Sequence, residues 1–145
     1  MALRSNTSLI HALHRASQVA EDRFTRELGD FDITPRQLAV LAVIDAHDGP
    51  SQTDIVVETG IDRSTLADIV RRLVKRGLVS RKRAKNDVRA YAVKLTSDGS
   101  RVLATAMPVL ARVEAELLEA LPVKKRVELV GLLEDLTGKH ARPEA

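Results

Sequence analysis

The 145-residue chain has no cysteine and no tryptophan, and its only aromatic residues are Phe24, Phe31 and Tyr91. Without cysteine there are no disulfides, no thiolate metal sites and no thiol-based peroxide sensing. With three aromatic rings the core has to be aliphatic, and a single-strand binder that stacks bases on rings is disfavoured. Long apolar runs are also missing. His11, His14, Arg15 and Gln18 interrupt every apolar stretch of the first 30 residues. Nothing approaches the roughly 20 apolar residues needed to cross a bilayer. A cytoplasmic protein with no membrane partner is expected. G-x-S-x-G, Walker, G-x-G-x-x-G and H-E-x-x-H signatures are all absent, and four scattered histidines have no partnered nucleophile. Enzymatic activity is therefore not expected.

What the chain does have is an uneven distribution of charge. Residues 63–94 hold 11 of the 23 Lys and Arg but only two of the 20 acids, Asp68 and Asp87. That window carries +9 and the other 113 residues carry −6, so a whole-chain charge of +3 conceals a basic module in an acidic frame. A local positive field of this kind suits double-stranded DNA. A Lys/Arg run is ordinarily a solvated face; this one coincides with a motif that needs it.

The helix signals are ordered. Residues 6–29 repeat Leu9, Leu13, Ala16, Ala20 and Phe24 at helical spacing, with Gly29 as the stop. Thr34-Pro35-Arg36-Gln37 is a capping box with proline at the first position, opening a helix with Leu38, Leu41, Ala42 and Ile44 inward. Ser51 and Asp54 form a second box, for a short helix ending at Gly60. Asp62 caps the next helix, whose inward stripe is Leu66, Ile69, Val70 and Leu73 and whose stop is Gly77. Strands are predicted near 78–83 and 89–95, joined by a turn through Asn86 and Asp87. Thr96 caps a long helix to about 121, with a kink expected at Pro108. Pro122 opens a last helix on Val123, Val127, Val130, Leu133 and Leu136.

Short helix, tight turn, helix and two strands make a winged helix-turn-helix. The fold class expected is mainly α with a small β-wing. The winged helix-turn-helix occupies 34–99, and the helical segments 1–33 and 100–145 form a dimerisation region. The helix after Asp62 is the recognition candidate, facing outward with Arg63, Ser64, Thr65, Asp68, Arg71, Arg72, Lys75 and Arg76. Arg63 and Arg72 have the fork that meets guanine, and Ser64 and Thr65 suit base edges or phosphate. Asp68 either accepts from cytosine or orients Arg72 at i+4; the second reading is preferred. Arg81, Lys82, Arg83, Lys85 and Arg89 give the wing a cationic edge.

From Leu38 to Gly99 the chain resembles the MarR family of bacterial transcription regulators. The resemblance rests on Ser51-Gln52-Thr53-Asp54-Ile55, Arg63-Ser64-Thr65-Leu66, Val70 to Val79, Asp87-Val88-Arg89, and Val93-Lys94-Leu95-Thr96 with Gly99. It implies a homodimer with interlocked terminal helices, Arg89 in the minor groove and Asp87 holding the wing. Many family wings read D-P-x-D-R-R, whereas residues 84–90 read A-K-N-D-V-R-A. Ser51, Gln52 and Thr53 join the expected DNA contacts, together with Arg63, Ser64, Thr65, Asp68, Arg72, Arg83, Lys85, Asp87 and Arg89. The resemblance further implies a pocket for a small aromatic or anionic effector; the function expected is a repressor released from a palindromic operator by that effector or by its acyl-CoA thioester, a polyanion that suits the basic face. His11, His14, Arg15 and Arg36 are the candidate ligand residues. The alternative function is an architectural or constitutive DNA binder with no ligand. His11-x-x-His14 has the spacing of a metal pair but no thiol or compelling acid beside it, so neither metal nor cofactor is expected. His47 reads as a helix-end residue, and His140 falls in the tail.

Overall fold

The computed structural model describes residues 8–84 and 87–138; for residue 84 and for 87–90 only the backbone is described. Lys85 and His140 lie outside the described residues, as do the side chains of Asp87 and Arg89. The protein is mainly α with a small β-wing. Its helices are α1 (Leu9–Leu28), α2 (Pro35–Ala46), α3 (Gln52–Thr59), α4 (Arg63–Lys75), α5 (Ser97–Leu118) and α6 (Val123–Leu136); strands β1 (Val79–Ala84) and β2 (Asp87–Leu95) lie between α4 and α5. The chain forms two compact units, 1–110 and 111–145.

Local chemistry fixes most boundaries. Ser8 caps α1, three residues later than the expected start. Gly29 does not end the chain's helical course. It opens a 3-10 turn, Gly29–Phe31, and the left-handed residue that turns the chain is Asp32, with φ 52°. Thr34 and Gln37 exchange both bonds of their capping box, at 3.1 and 3.0 Å. Ser51 and Asp54 do the same at 3.0 and 2.9 Å. The Ser51 backbone N–H donates to Asp54, which with the Ser51 hydroxyl lowers that carboxyl's pKa.

β1 and β2 pair antiparallel from Val79 opposite Leu95 to Arg83 opposite Tyr91; beyond Arg83 the register shifts, and Ala84 faces Asp87. A third short segment joins them. Ser51 bridges to Ala92, and the Val93 N–H donates to the Pro50 carbonyl at 3.0 Å. The wing is thereby tied to the start of α3. The core of the first unit is aliphatic apart from Phe24. Leu28, Leu38, Val40, Leu41, Ile55, Leu66, Val70, Leu73 and Val93 are fully buried in it.

Two apolar stripes are left largely uncovered in the single chain. On α1 only the C-terminal end is covered: Phe24 and Leu28 are buried, whereas Leu9 and Leu13 are exposed. In the second unit Val123, Val127, Val130, Leu133 and Leu136 are all exposed in the single chain. α5 passes through Pro108 and ends at Leu118, short of the expected 121. Pro122 disfavours helix at the preceding residue, and the Leu121 N–H closes a turn onto the Leu118 carbonyl at 2.9 Å.

Candidate nucleic-acid interface

The helix-turn-helix is built from short-range bonds. The Thr59 hydroxyl donates to the Ile55 carbonyl at 2.7 Å and accepts the Ile61 N–H at 3.2 Å. Gly60 takes φ 73°, a left-handed conformation that costs a side chain steric strain. Asp62 then caps α4, accepting the Thr65 N–H at 3.1 Å and the Ser64 hydroxyl at 2.8 Å. Bonds from Thr65 first and Ser64 second hold the Asp62 carboxyl down to about 2. Such bonds stabilise the charged form.

A lowered folded-state pKa means that the stabilisation is fully present above the unfolded value, about 3.9, and is lost as pH falls through about 2. Asp62→Ala is therefore expected to lower the melting temperature by a few degrees at pH 7. That gap should narrow in melts between pH 4 and pH 2. A gap that stayed constant to pH 2 would show that the cap does not act through its charge.

With Leu66, Ile69, Val70 and Leu73 buried, the opposite face of α4 is left to solvent. Arg63 reaches back across the turn, its Nη1 donating to the Thr53 hydroxyl at 3.1 Å. Asp68 accepts Arg72 Nε at 2.9 Å and also pairs with Arg71. Arg72 first and Arg71 second lower its pKa. The Asp68–Arg72 pair has the i+4 spacing expected of it. The pairing with Arg71 is a partner that the i+4 argument did not include, although i+3 spacing allows it. Ser51 and Gln52 are half-buried and Thr53 is exposed. The Ser51 and Ser64 hydroxyls are both engaged in caps. On the wing, the Arg83 guanidinium lies 5.9 Å from the centre of the Tyr91 ring, its cross-strand partner.

The proposed ligand residues are less concentrated. His11, His14 and Arg15 are exposed on the first turns of α1, and Arg36 is exposed at the start of α2, beyond the other end of a helix about 30 Å long. A groove of about 380 Å³, with no signature in the sequence, is lined by Ala42, Asp45, Ser100, Leu103, Ala104 and Met107. Its residues are contributed by α2 and α5, which have no motif in common. Among the described residues no three metal-binding side chains come together, and no helix is long and apolar enough to cross a membrane.

A capped helix-turn-helix, a two-stranded wing and a cationic outer face define a winged helix-turn-helix DNA-binding protein. A MarR family model matches residues 31–90. The chain is 33% identical over 126 residues to the transcriptional regulator HosA of Escherichia coli O127:H6, covering 87% of this chain and 90% of that one. It superposes with a TM-score of 0.85 on Bordetella bronchiseptica BpsR, whose DNA binding is regulated by 6-hydroxynicotinic acid; identity is 28%, and 90% and 93% of the two chains are covered. With the transcriptional repressor CouR bound to a 23-mer DNA duplex the TM-score is 0.82 and identity 33%, over 89% and 92% of the chains. The chain belongs to the MarR family of transcriptional regulators.

Proposed function

We propose that the protein is a repressor that binds a palindromic operator as a homodimer and is released by a small aromatic or anionic effector, or its acyl-CoA thioester. The observation that carries the DNA reading is the outer face of α4, where Asp68 holds Arg72 about two turns beyond Ser64 and Thr65, with Arg63 at the helix start. On this reading those side chains meet base edges. Ser51, Gln52 and Thr53 meet the backbone, and the wing residues Arg83, Lys85, Asp87 and Arg89 grip phosphate and minor groove. The uncovered side chains of α6, with Leu9 and Ile10 of α1, support a partner subunit over 1–33 and 100–145. Two readers related by a dyad call for half-sites about one helical turn apart, ~34 Å.

Support for an effector comes from BpsR and from His11, His14 and Arg15, exposed together on the first turns of α1 and able to meet an anion, with Arg36 apart from them at the start of α2. Linkage then requires the effector to favour a dimer whose readers no longer match the operator spacing.

One titration tests both halves. A duplex selected by the protein from a random-sequence pool is compared with its scrambled version by fluorescence anisotropy at several salt concentrations. The selected duplex is expected to bind at least about 10³-fold tighter. Its log affinity should fall by about 0.9 per neutralised phosphate against log salt. Equal affinities would sink sequence-specific regulation. Adding 6-hydroxynicotinic acid, other aromatic acids or their thioesters should weaken the complex; indifference to the whole panel leaves a constitutive binder.

A further inference from the structure

Arg76 belongs to the basic run, yet its guanidinium is committed to backbone carbonyls outside α4. Its two terminal nitrogens donate to the carbonyls of Asp32 and Phe31, the second at 3.2 Å, across 44 and 45 residues of sequence. Those carbonyls sit on the corner between α1 and α2. The corner is built tightly: the Asp32 N–H returns to the Gly29 carbonyl at 2.9 Å, and the capping box of α2 begins two residues later at Thr34. Asp32 is also the one non-glycine residue with positive φ among the described residues.

The base of the Arg76 side chain is equally fixed. Its backbone N–H closes α4 onto the carbonyl of Arg72 at 3.0 Å, and Gly77, at φ 77°, turns the chain into β1. One guanidinium thus joins two rigid pieces, and two neighbouring carbonyls are what a planar fork fits and an ammonium does not.

We infer that Arg76 is a positioning residue: it fastens the C-terminal end of α4 to the α1–α2 corner and so sets the angle at which α4 meets DNA, rather than contacting phosphate itself. This rests on α4 being the reading helix. It also gives a route inward, because a shift of α1 would pull on the corner and tilt α4.

The test uses the full chain with Arg76→Lys and Arg76→Gln, the selected and scrambled duplexes, and hydrogen exchange. Both variants should lose about tenfold in preference for the selected duplex while the salt slope stays at its wild-type value. Exchange at the Asp32 and Thr34 amides should quicken severalfold, with the core of α4 unchanged as the control for folding. Lysine keeps the charge and loses the fork, so it should fail to rescue. Arg76→Lys with wild-type preference would overturn the inference. So would a fall in slope of about 0.9 in Arg76→Gln, which marks a lost phosphate contact. If the wild-type protein showed no preference between duplexes, the DNA reading would fail, and exchange at the corner would still decide whether Arg76 fastens it.

Discussion

Replacing Gly99 with alanine is expected to be the most damaging single-methyl change in the first unit. A Cβ built on Gly99 would lie 2.0 Å from the carbonyl oxygen of Leu78 and 3.0 Å from its carbon. The obstacle is backbone, so no rotamer change relieves it. The same carbonyl is already fixed, because it accepts the Thr96 N–H at 3.0 Å. The Thr96 hydroxyl donates to the Gly77 carbonyl at 2.6 Å and accepts the Gly99 N–H at 3.0 Å. These bonds tie the end of α4 to the start of α5 around buried Leu78 and Val79. Moving either strand of backbone breaks them. The cost should lie at or beyond the upper end of the overpacking range, about 3 kcal/mol or more, out of the 5–15 kcal/mol typical of a domain. The melting temperature should fall by about 10 °C or more, with loss of DNA binding at 37 °C. Gly131→Ala is the matched control. It sits inside α6 with nothing within 4 Å of the new methyl, and it should be neutral or slightly stabilising. A Gly99→Ala melt within about 2 °C of wild type would refute the close approach.

The contrast between those two glycines shows what was legible in the sequence. Both occur in helical segments, and only a contact across 21 residues of chain distinguishes them. Features that depend on three or four residues were readable: the Thr34–Gln37 and Ser51–Asp54 boxes, the Asp62 cap, and the α4 stripe with its outward charges. Features that depend on distant neighbours were not. α2 is covered on more than one side, so a single-stripe reading missed Val40, which is fully buried. α1 has a good apolar period, but its N-terminal half has no neighbour in the single chain, so Leu9 and Leu13 stay exposed. The Ser51–Ala92 bridge and the Arg76 bonds to Phe31 and Asp32 join segments with no shared period. The site follows the same rule. Asp68 with Arg72 was legible from i+4 spacing, whereas the hydrogen bond from Arg63 to Thr53 spans the turn and leaves no sequence signal.

The second large effect is expected from Arg72→Ala. Asp68 accepts Nε of Arg72 at 2.9 Å, which leaves the outer edge of the guanidinium, its two terminal nitrogens, free to act as a fork. That edge is the one that pairs with O6 and N7 of guanine. The side chain remains 63% exposed, so the carboxylate holds it in place without covering it. Removing it should weaken binding to the selected duplex by about 10- to 100-fold, with sequence preference relaxed and little change on scrambled DNA. Asp68→Ala should cost less, because the fork survives and only its orientation is lost. The two effects should not add. Once Arg72 is gone, Asp68 has lost most of its purpose, and Asp68→Ala in the Arg72→Ala background should change the selected-to-scrambled ratio by less than about twofold. Anisotropy with both duplexes measures all four corners of the cycle. Equal losses on both duplexes, with a salt slope smaller by about 0.9, would make Arg72 a phosphate contact. Full additivity would mean that Asp68 acts on DNA independently, as in the cytosine reading that the Asp68–Arg72 geometry disfavours.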